Sequence, residues 1–291
     1  MSSIFVFPGQ GAQSVGMGRE LYESNAAARA VFDEVDDALN QKLSNIIFNG
    51  PLEELTLTAN VQPAIMATSI AMLHASNEPV PEYVAGHSLG EYTALCAAGA
   101  ISLADAAKLL RARGDAMQTA VPVGHGLTAV VLGLDIDTVR DICMQTDCDV
   151  ANDNCPGQVV ISGAKDVVEA TMEKLKQAGA KRAMPLALSV PVHCRIQASA
   201  ADKMRSVLET VEIKTPNAKF ISNKTADVMM NPDEIKDELV YQMTHGVRWR
   251  ESVLKMHELG ISDMIEIGPG SVLTGLAGRI CPEINAKKME I

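Results

Sequence analysis

Apolar residues along the chain follow two periods. Ile4–Phe7 is a short continuous apolar run that stops at Pro8 and enters a glycine-rich loop, "PGQGAQSVGMG", the pattern of a buried strand followed by a turn. Residues 25–39, "NAAARAVFDEVDDAL", and 57–75, "LTANVQPAIMATSIAMLHA", carry apolar residues at helical spacing, with Pro63 expected in the first turn of the second helix. "EYVAGHSLGEYTALCAAGA" reads as a short strand that passes through Gly86 into an Ala-rich helix. "SLADAAKLLRARGDAMQTA" is a further helix, capped by Ser102 with Asp105 three residues on.

The middle of the chain changes rhythm. Strand-like "LTAVVLGL", helical "DIDTVRDICMQT", strands "CDVAND" and "QVVISGA", helical "KDVVEATMEKLKQAGA" and strand-like "KRAMPLALS" give the order β-α-β-β-α-β. This predicts a ferredoxin-like small domain at residues 125–190, inserted into a large domain made of 1–124 and 191–291. The flanks continue with a helix at "RIQASAADKMRSVLETV", a strand at "AKFISN", a helix around "RWRESVLKMHELG", a strand at "DMIEIG" and a last helix from Ser271. Alternating strands and helices predict an α/β protein with a doubly wound sheet.

Composition narrows the function. A formal charge of −11 argues against bulk nucleic-acid binding, which needs a basic face. Aromatics are only 3% of residues, so the core must be aliphatic. The six cysteines are scattered without CxxC spacing, and the six histidines lack metal-ligand spacing, so no metal is expected and the thiols read as reduced and cytoplasmic. The Ala-rich stretches are broken by charges well before the roughly 20 residues a bilayer span requires. The strand-like start has no basic leader, so no secretory signal is expected.

The strongest chemical signal is Gly86-His87-Ser88-Leu89-Gly90, a G-x-S-x-G between a predicted strand and helix. A sharp turn there strains the backbone at Ser88 and leaves no room for side chains at 86 or 90. Ser88 Oγ is then held at a helix N-terminus, and the N–H of Leu89 can serve as an oxyanion donor. Ser88 needs a base. His87 is adjacent, but side chains diverge at such an elbow. His193, in "SVPVHCR" where the chain leaves the inserted domain, is the better candidate, its alternative being a structural loop histidine. Arg113 shares a helical stripe with Leu103, Ala106, Leu110 and Met117, so it faces inward while Arg111 points elsewhere. A buried arginine needs an anion, an internal Asp or Glu or a substrate carboxylate, unless its stem snorkels to water.

"FPGQGAQ", "GHSLGEY", "RGDAMQ", "NDNCPGQVVISG", "SVPVHC", "VRW" and "EIGPGSVLTGL" occur in the order and spacing of bacterial malonyl-CoA:acyl-carrier-protein transacylases, which the whole chain resembles. The resemblance implies an α/β-hydrolase-like domain with a ferredoxin-like insertion. It implies that Ser88 becomes malonylated, that His193 is base and then acid, that Arg113 binds the malonyl carboxylate, and that the N–H groups of Gln10 and Leu89 form the oxyanion hole. It further implies that a backbone carbonyl, matched to Arg248, orients the histidine in place of a triad acid, and that Asn154 lies near the site. The chain departs from the family at Val192, a position that influences acyl selectivity. It departs again at His245-Gly246, where the family often has proline and where His245 would add an ionisable group near the site. The implied substrates are malonyl-CoA and the phosphopantetheine arm of acyl carrier protein, with no cofactor, in a cytoplasmic, monomeric enzyme of fatty-acid synthesis. Lys181, Arg182 and Arg195, with Arg248 and Arg250, are candidates for a basic patch facing the carrier. The competing readings are a serine esterase or thioesterase, which usually has an acid between serine and histidine in chain order, and a nucleotide-binding module. The latter fails its fingerprint because Gly9-x-Gly11-x-x reaches Ser14 rather than glycine.

Overall fold

A computed structural model describes residues 2–122 and 124–291. Among them the chain runs β1 (Ser2–Phe7), α1 (Arg19–Ser24), α2 (Ala26–Leu39), α3 (Leu43–Asn49), α4 (Leu52–Thr56) and α5 (Thr58–Ser76). Then come β2 (Tyr83–Gly86), α6 (Gly90–Ala97), α7 (Leu103–Ala120), β3 (Gly126–Leu132), α8 (Ile136–Thr146), β4 (Asp149–Cys155), β5 (Gln158–Ala164), α9 (Lys165–Gln177) and β6 (Arg182–Pro185). The last part holds α10 (Ala198–Glu209), β7 (Lys219–Ile221), β8 (Val228–Met229), α11 (Pro232–Tyr241), α12 (Trp249–Glu258), β9 (Ile261–Glu266), α13 (Val272–Ile280) and β10 (Asn285–Lys288).

The strands form two sheets. The larger has the order β10-β9-β1-β2-β7-β8, parallel except for the β7–β8 pair at one edge. β1 lies in its middle and is covered on both sides, which is why Ile4–Phe7 reads as an unbroken apolar run. Phe5 and Phe7 join the core shared with α5, α6 and α7, whereas Ile4 and Val6 join the core with Trp249, Val253 and Leu276 on the opposite face. Helix α7 packs closely on α5 because Gly114 lacks a side chain: a Cβ there would come within 2.4 Å of Ala59 Cα. That contact positions the neighbouring Arg113.

The smaller sheet, β4-β5-β3-β6, is antiparallel throughout. With α8 and α9 it has its own core, including Val131, Val139, Ile161, Val168 and Leu175. It is tied to the rest of the protein by an isolated bridge between Asn152 and Val247.

Several local expectations change. Helix α5 begins at Thr58, so Pro63 is its sixth residue and lies beyond the first turn. Nearly every residue of α5 is buried, so its apolar pattern is not one-sided. The strand expected through residues 181–189 pairs only over Arg182–Pro185. The edge strands β8 and β10 and the short helices α1, α3 and α4 are too short to carry a clear period. Among the described residues no helix is long and apolar enough to cross a membrane.

Candidate active site

The carboxyl ends of β1 and β2 lie side by side at the centre of the larger sheet, where open α/β sheets bind ligands. β2 ends at Gly86 and α6 begins at Gly90, so the chain reverses direction within a few residues. Ser88 takes a left-handed conformation, φ 56°, which a non-glycine residue adopts at a cost of about 1–2 kcal/mol. The flanking glycines make the turn possible. A Cβ at Gly86 would fall 1.9 Å from the carbonyl carbon of Gly90, and one at Gly90 would fall 2.2 Å from the carbonyl oxygen of Phe7.

Ser88 Oγ lies 2.7 Å from His193 Nε2, and His193 Nδ1 lies 2.6 Å from the carbonyl oxygen of Gln242. A carbonyl can only accept, so Nδ1 carries the proton and Nε2 is free to accept from the serine hydroxyl. Gln242 follows α11, and its carbonyl is among those that a helix C-terminus leaves without an internal partner. The negative end of the helix therefore faces the imidazole. His193 is only 2% exposed; burial, with the nearby positive charge of Arg113, pushes its pKa down to about 3. The histidine is thus neutral, as a base must be.

Arg113 is also 2% exposed. Its Nη1 donates to Gln62 Oε1 at 2.8 Å, and its Nη2 donates to Gln242 Oε1 at 2.6 Å and to Ser88 Oγ at 3.1 Å. Its Nε is buried and has no partner among the described residues. Among the described residues no carboxylate forms an ion pair with it. Of the two anions the sequence left open, the internal Asp or Glu is therefore not what this guanidinium pairs with.

The loop after β1 approaches the elbow from the other side. A Cβ at Gly9 would sit 2.8 Å from the carbonyl oxygen of His87, so the glycine lets backbone meet backbone. Among the described residues the amides of Gln10 and Leu89 donate to no protein acceptor, and both residues line a cavity of about 450 Å³ shared with Ser88, Arg113, Val192 and His193. The inserted sheet supplies the facing wall, including Asn154 and Val160. Asn154 Oδ1 accepts from His87 Nε2 at 3.0 Å, so this asparagine holds His87 away from Ser88.

Two expectations need correction. Arg248 does not orient His193. Its carbonyl, at the start of α12, accepts from the amide and hydroxyl of Ser252, and the histidine is held six residues earlier by Gln242. The "VRW" segment instead packs Trp249 in the core and ties Val247 to the inserted sheet. His245, in turn, does not reach the site: it is exposed and stacks on Tyr241 with ring centroids 3.7 Å apart. Gly246 beside it marks a tight contact, since a Cβ would lie 2.4 Å from the carbonyl oxygen of Val150.

The residues missed by sequence reasoning are those that join distant segments. Gln62 and Gln242 hold Arg113. Asn223, just past β7, clamps the elbow: its Oδ1 accepts from the amide of Ser88 at 2.8 Å and its Nδ2 donates to the carbonyl of Gly86 at 2.7 Å. For Gln242 a signal existed, because Ile235, Glu238, Leu239 and Gln242 follow helical spacing and are all buried. The expected basic patch is partly neutralised: Arg195 pairs with Asp147 and Asp149, Arg250 with Asp153, and Arg248 with Glu251. Lys181 and Arg182 are exposed and, among the described residues, form no ion pair.

A strained serine, a histidine held by a carbonyl and a buried cation with no acid partner among the described residues are an arrangement that can carry out nucleophilic acyl transfer. Comparison with known proteins agrees: residues 4–285 match the acyl transferase domain. The chain is 47% identical to the malonyl CoA-acyl carrier protein transacylase of Bacillus subtilis, over 96% of this chain and 91% of that relative. It belongs to the malonyl-CoA:acyl-carrier-protein transacylase family. This transacylase-family chain superposes on the acyl-carrier-protein-S-malonyltransferase of Bartonella henselae with a TM-score of 0.96 at 48% identity, covering 99% and 95% of the two chains. A further structure, of a type II PKS acyl-carrier protein in complex with its malonyl-transacylase, matches with a TM-score of 0.96 at 40% identity, covering 99% and 96%. The protein is an acyltransferase, and the esterase alternative is not favoured. Its histidine has a helix-end carbonyl where most serine hydrolases place an acid.

Proposed function

We propose that this acyltransferase moves a malonyl group from malonyl-CoA to the phosphopantetheine thiol of acyl carrier protein through a malonyl ester on Ser88. The observation that carries the reading is Arg113, a buried cation hydrogen-bonded only to neutral oxygens at the nucleophile. In the first half-reaction His193 Nε2 takes the Ser88 proton as Oγ attacks the thioester carbonyl. The C–O bond forms, the C–S bond breaks, and the proton passes to the departing CoA sulfur. In the second, His193 takes the proton of the carrier thiol, the C–S bond forms as the C–O bond to Ser88 breaks, and the proton passes to Ser88 Oγ. The steps balance without a cofactor and predict ping-pong kinetics. The amides of Gln10 and Leu89 receive the oxyanion in both.

Arg113 holds the malonyl carboxylate, Val192 borders the acyl group, and Asn154 steadies His87 on the cavity wall. The carrier approaches across the inserted domain, where Lys181 and Arg182 offer free cations to an acidic partner. The strand order supports reading the scaffold as a hydrolase-like domain, 1–124 and 191–291, with a ferredoxin-like insertion at 125–190. We place the enzyme in the cytoplasm as a monomer of fatty-acid synthesis.

Intact-mass measurement after mixing with malonyl-CoA tests the proposal. A malonyl adduct that disappears on adding acyl carrier protein and is absent from Ser88→Ala is the expected result. Release of CoA and free malonate without an adduct, at a rate unaffected by carrier, would overturn it.

A further inference from the structure

Beneath the site, Glu91 in the first turn of α6 is completely buried. Its Oε1 accepts from the amide of Asn223 at 2.7 Å, and its Oε2 accepts from Gln242 Nε2. Each partner goes on to a different part of the chemistry. Asn223 holds the Ser88 elbow through the contacts already described. Gln242 presents Oε1 to Arg113 and its main-chain carbonyl to His193.

The direction of these bonds is fixed from one end. A guanidinium only donates, so Gln242 must turn its oxygen toward Arg113 and its NH₂ toward Glu91. The side chain at position 91 must then accept twice, from that NH₂ and from the Asn223 amide. Among side chains of this length, only a carboxyl group offers two acceptor oxygens. Glu91 also faces a second buried carboxyl, Glu238, which accepts from Ser222 Oγ and from the Lys224 amide. Burial and the charge of Glu238 push Glu91 well above the ordinary carboxylate range, so the pair can keep a proton between them while their remaining lone pairs accept.

We propose that Glu91 is a positioning residue for the acyl transfer: a single buried carboxyl sets the amide orientation of Gln242 and the placement of Asn223, and so aligns Arg113, His193 and Ser88 together. The inference rests on the transacylase reading for its substrate but not for its geometry.

Glu91→Gln tests it. An amide at this position has one acceptor oxygen and must leave either Asn223 or Gln242 facing a donor. The double variant Glu91→Gln/Gln242→Glu restores every pairing with the polarity reversed. The amide introduced at position 91 accepts from Asn223 and donates to the carboxylate introduced at position 242, which also accepts from Arg113. That carboxylate, however, takes up the positive charge meant for malonate. Two readouts are used: the rate of Ser88 labelling by a fluorophosphonate, which needs no acyl substrate, and steady-state kcat and KM with malonyl-CoA.

For Glu91→Gln, labelling and malonyl kcat are expected to fall about 10- to 100-fold, as for a buried donor left without its acceptor. For the double variant, labelling and kcat are expected to recover to within a few-fold of wild type, while KM for malonyl-CoA stays raised about 10-fold or more. A Glu91→Gln enzyme within two-fold of wild type in both readouts overturns the proposal, as does a double variant no better than the single. If Glu91→Gln does not fold, the double variant decides alone: folded and labelled with a raised KM supports the proposal, and unfolded overturns it. If wild type itself takes no malonyl group, the transacylase reading fails while the labelling arm still judges Glu91.

Discussion

Replacing Arg113 with alanine is the sharpest test of how the site selects its substrate. The guanidinium is 2% exposed and makes its contacts with Gln62, Gln242 and Ser88, none of which is an acid. A carboxylate arriving there completes a buried ion pair, and removing one partner of such a pair costs about 3–5 kcal/mol. That converts to a loss in kcat/KM for malonyl-CoA of roughly 150- to 5,000-fold. Acetyl-CoA carries no charge to lose. It forfeits only the effect of the Arg113 bond to Ser88 Oγ, a single charged hydrogen bond that contributes about 1.5 kcal/mol, or roughly 10-fold. The malonyl-to-acetyl ratio should therefore fall by about 10-fold or more. Parallel measurement of Ser88 acylation by intact mass, with the two thioesters at matched concentrations, gives this ratio directly. Both Gln62 and Gln242 lose a donor in the variant, so the assay belongs well below its melting temperature. A ratio within two-fold of wild type would mean that the cation serves the fold and not the acyl group.

Other consequences follow from the same contacts. His193 in the folded protein titrates far below its ordinary value near 6.5, at about 3, so it stays neutral as pH falls through the range where a free histidine charges. The acid limb of the pH profile for fluorophosphonate labelling of Ser88 should lie well under 6.5, and a midpoint at or above that value contradicts the buried neutral base. In Arg113→Ala the limb should move toward higher pH, because a positive charge that disfavours the imidazolium has gone. Gly90→Ala, which drives a Cβ into the carbonyl of Phe7, should lower the melting temperature by several degrees or prevent folding, checked by calorimetry; an unperturbed melt refutes the close approach. Gly9→Ala should leave the fold but displace the loop that carries Gln10, cutting Ser88 acylation about 10-fold, in the range expected for a weakened oxyanion donor.

How much of this is legible in the sequence depends on the length over which each feature acts. The strand–elbow–helix can be read because its requirements are local: glycine at 86 and 90, serine between them, and an apolar run on either side. Arg113 can be read because one helix displays its own face through periodicity. The β-α-β-β-α-β order of the insertion is visible for the same reason, each element carrying its own period. What escapes is anything set by the meeting of distant segments. Gln242 reaches Arg113 across 129 positions and Asn223 reaches Ser88 across 135. No local pattern marks either residue except burial on a stripe. The resemblance points to Arg248 for the carbonyl that holds His193, by matching its position in the "VRW" segment to the family's. A carbonyl carries no sequence signature, however, and the end of α11 is where an unpaired one has to be.

That helix end also explains how His193 is held with a main-chain carbonyl, and no carboxylate among the described residues, at its Nδ1. Arg113 Nη2 and His193 Nε2 share Ser88 Oγ at 3.1 and 2.7 Å, so they are under about 6 Å apart. At that separation and an effective dielectric of about 20, a unit charge contributes about 3 kcal/mol. A carboxylate on the far side of the imidazole would raise the histidine's affinity for a proton and draw on the same guanidinium that the substrate must neutralise. The Gln242 carbonyl fixes the tautomer and steadies a developing imidazolium through the helix end without adding a full negative charge. The side-chain amide of Gln242 stands between Glu91 and Arg113, donating to the carboxyl and accepting from the guanidinium, so Glu91 makes no direct ion pair with the cation. In the proposed transfer, an acyl group with its own carboxylate would supply the missing charge and, by cancelling part of Arg113's field, would make His193 a stronger base when a malonyl thioester is in place. On that proposal, selectivity and activation of the nucleophile draw on one electrostatic feature, and a substrate lacking the carboxylate would forfeit both.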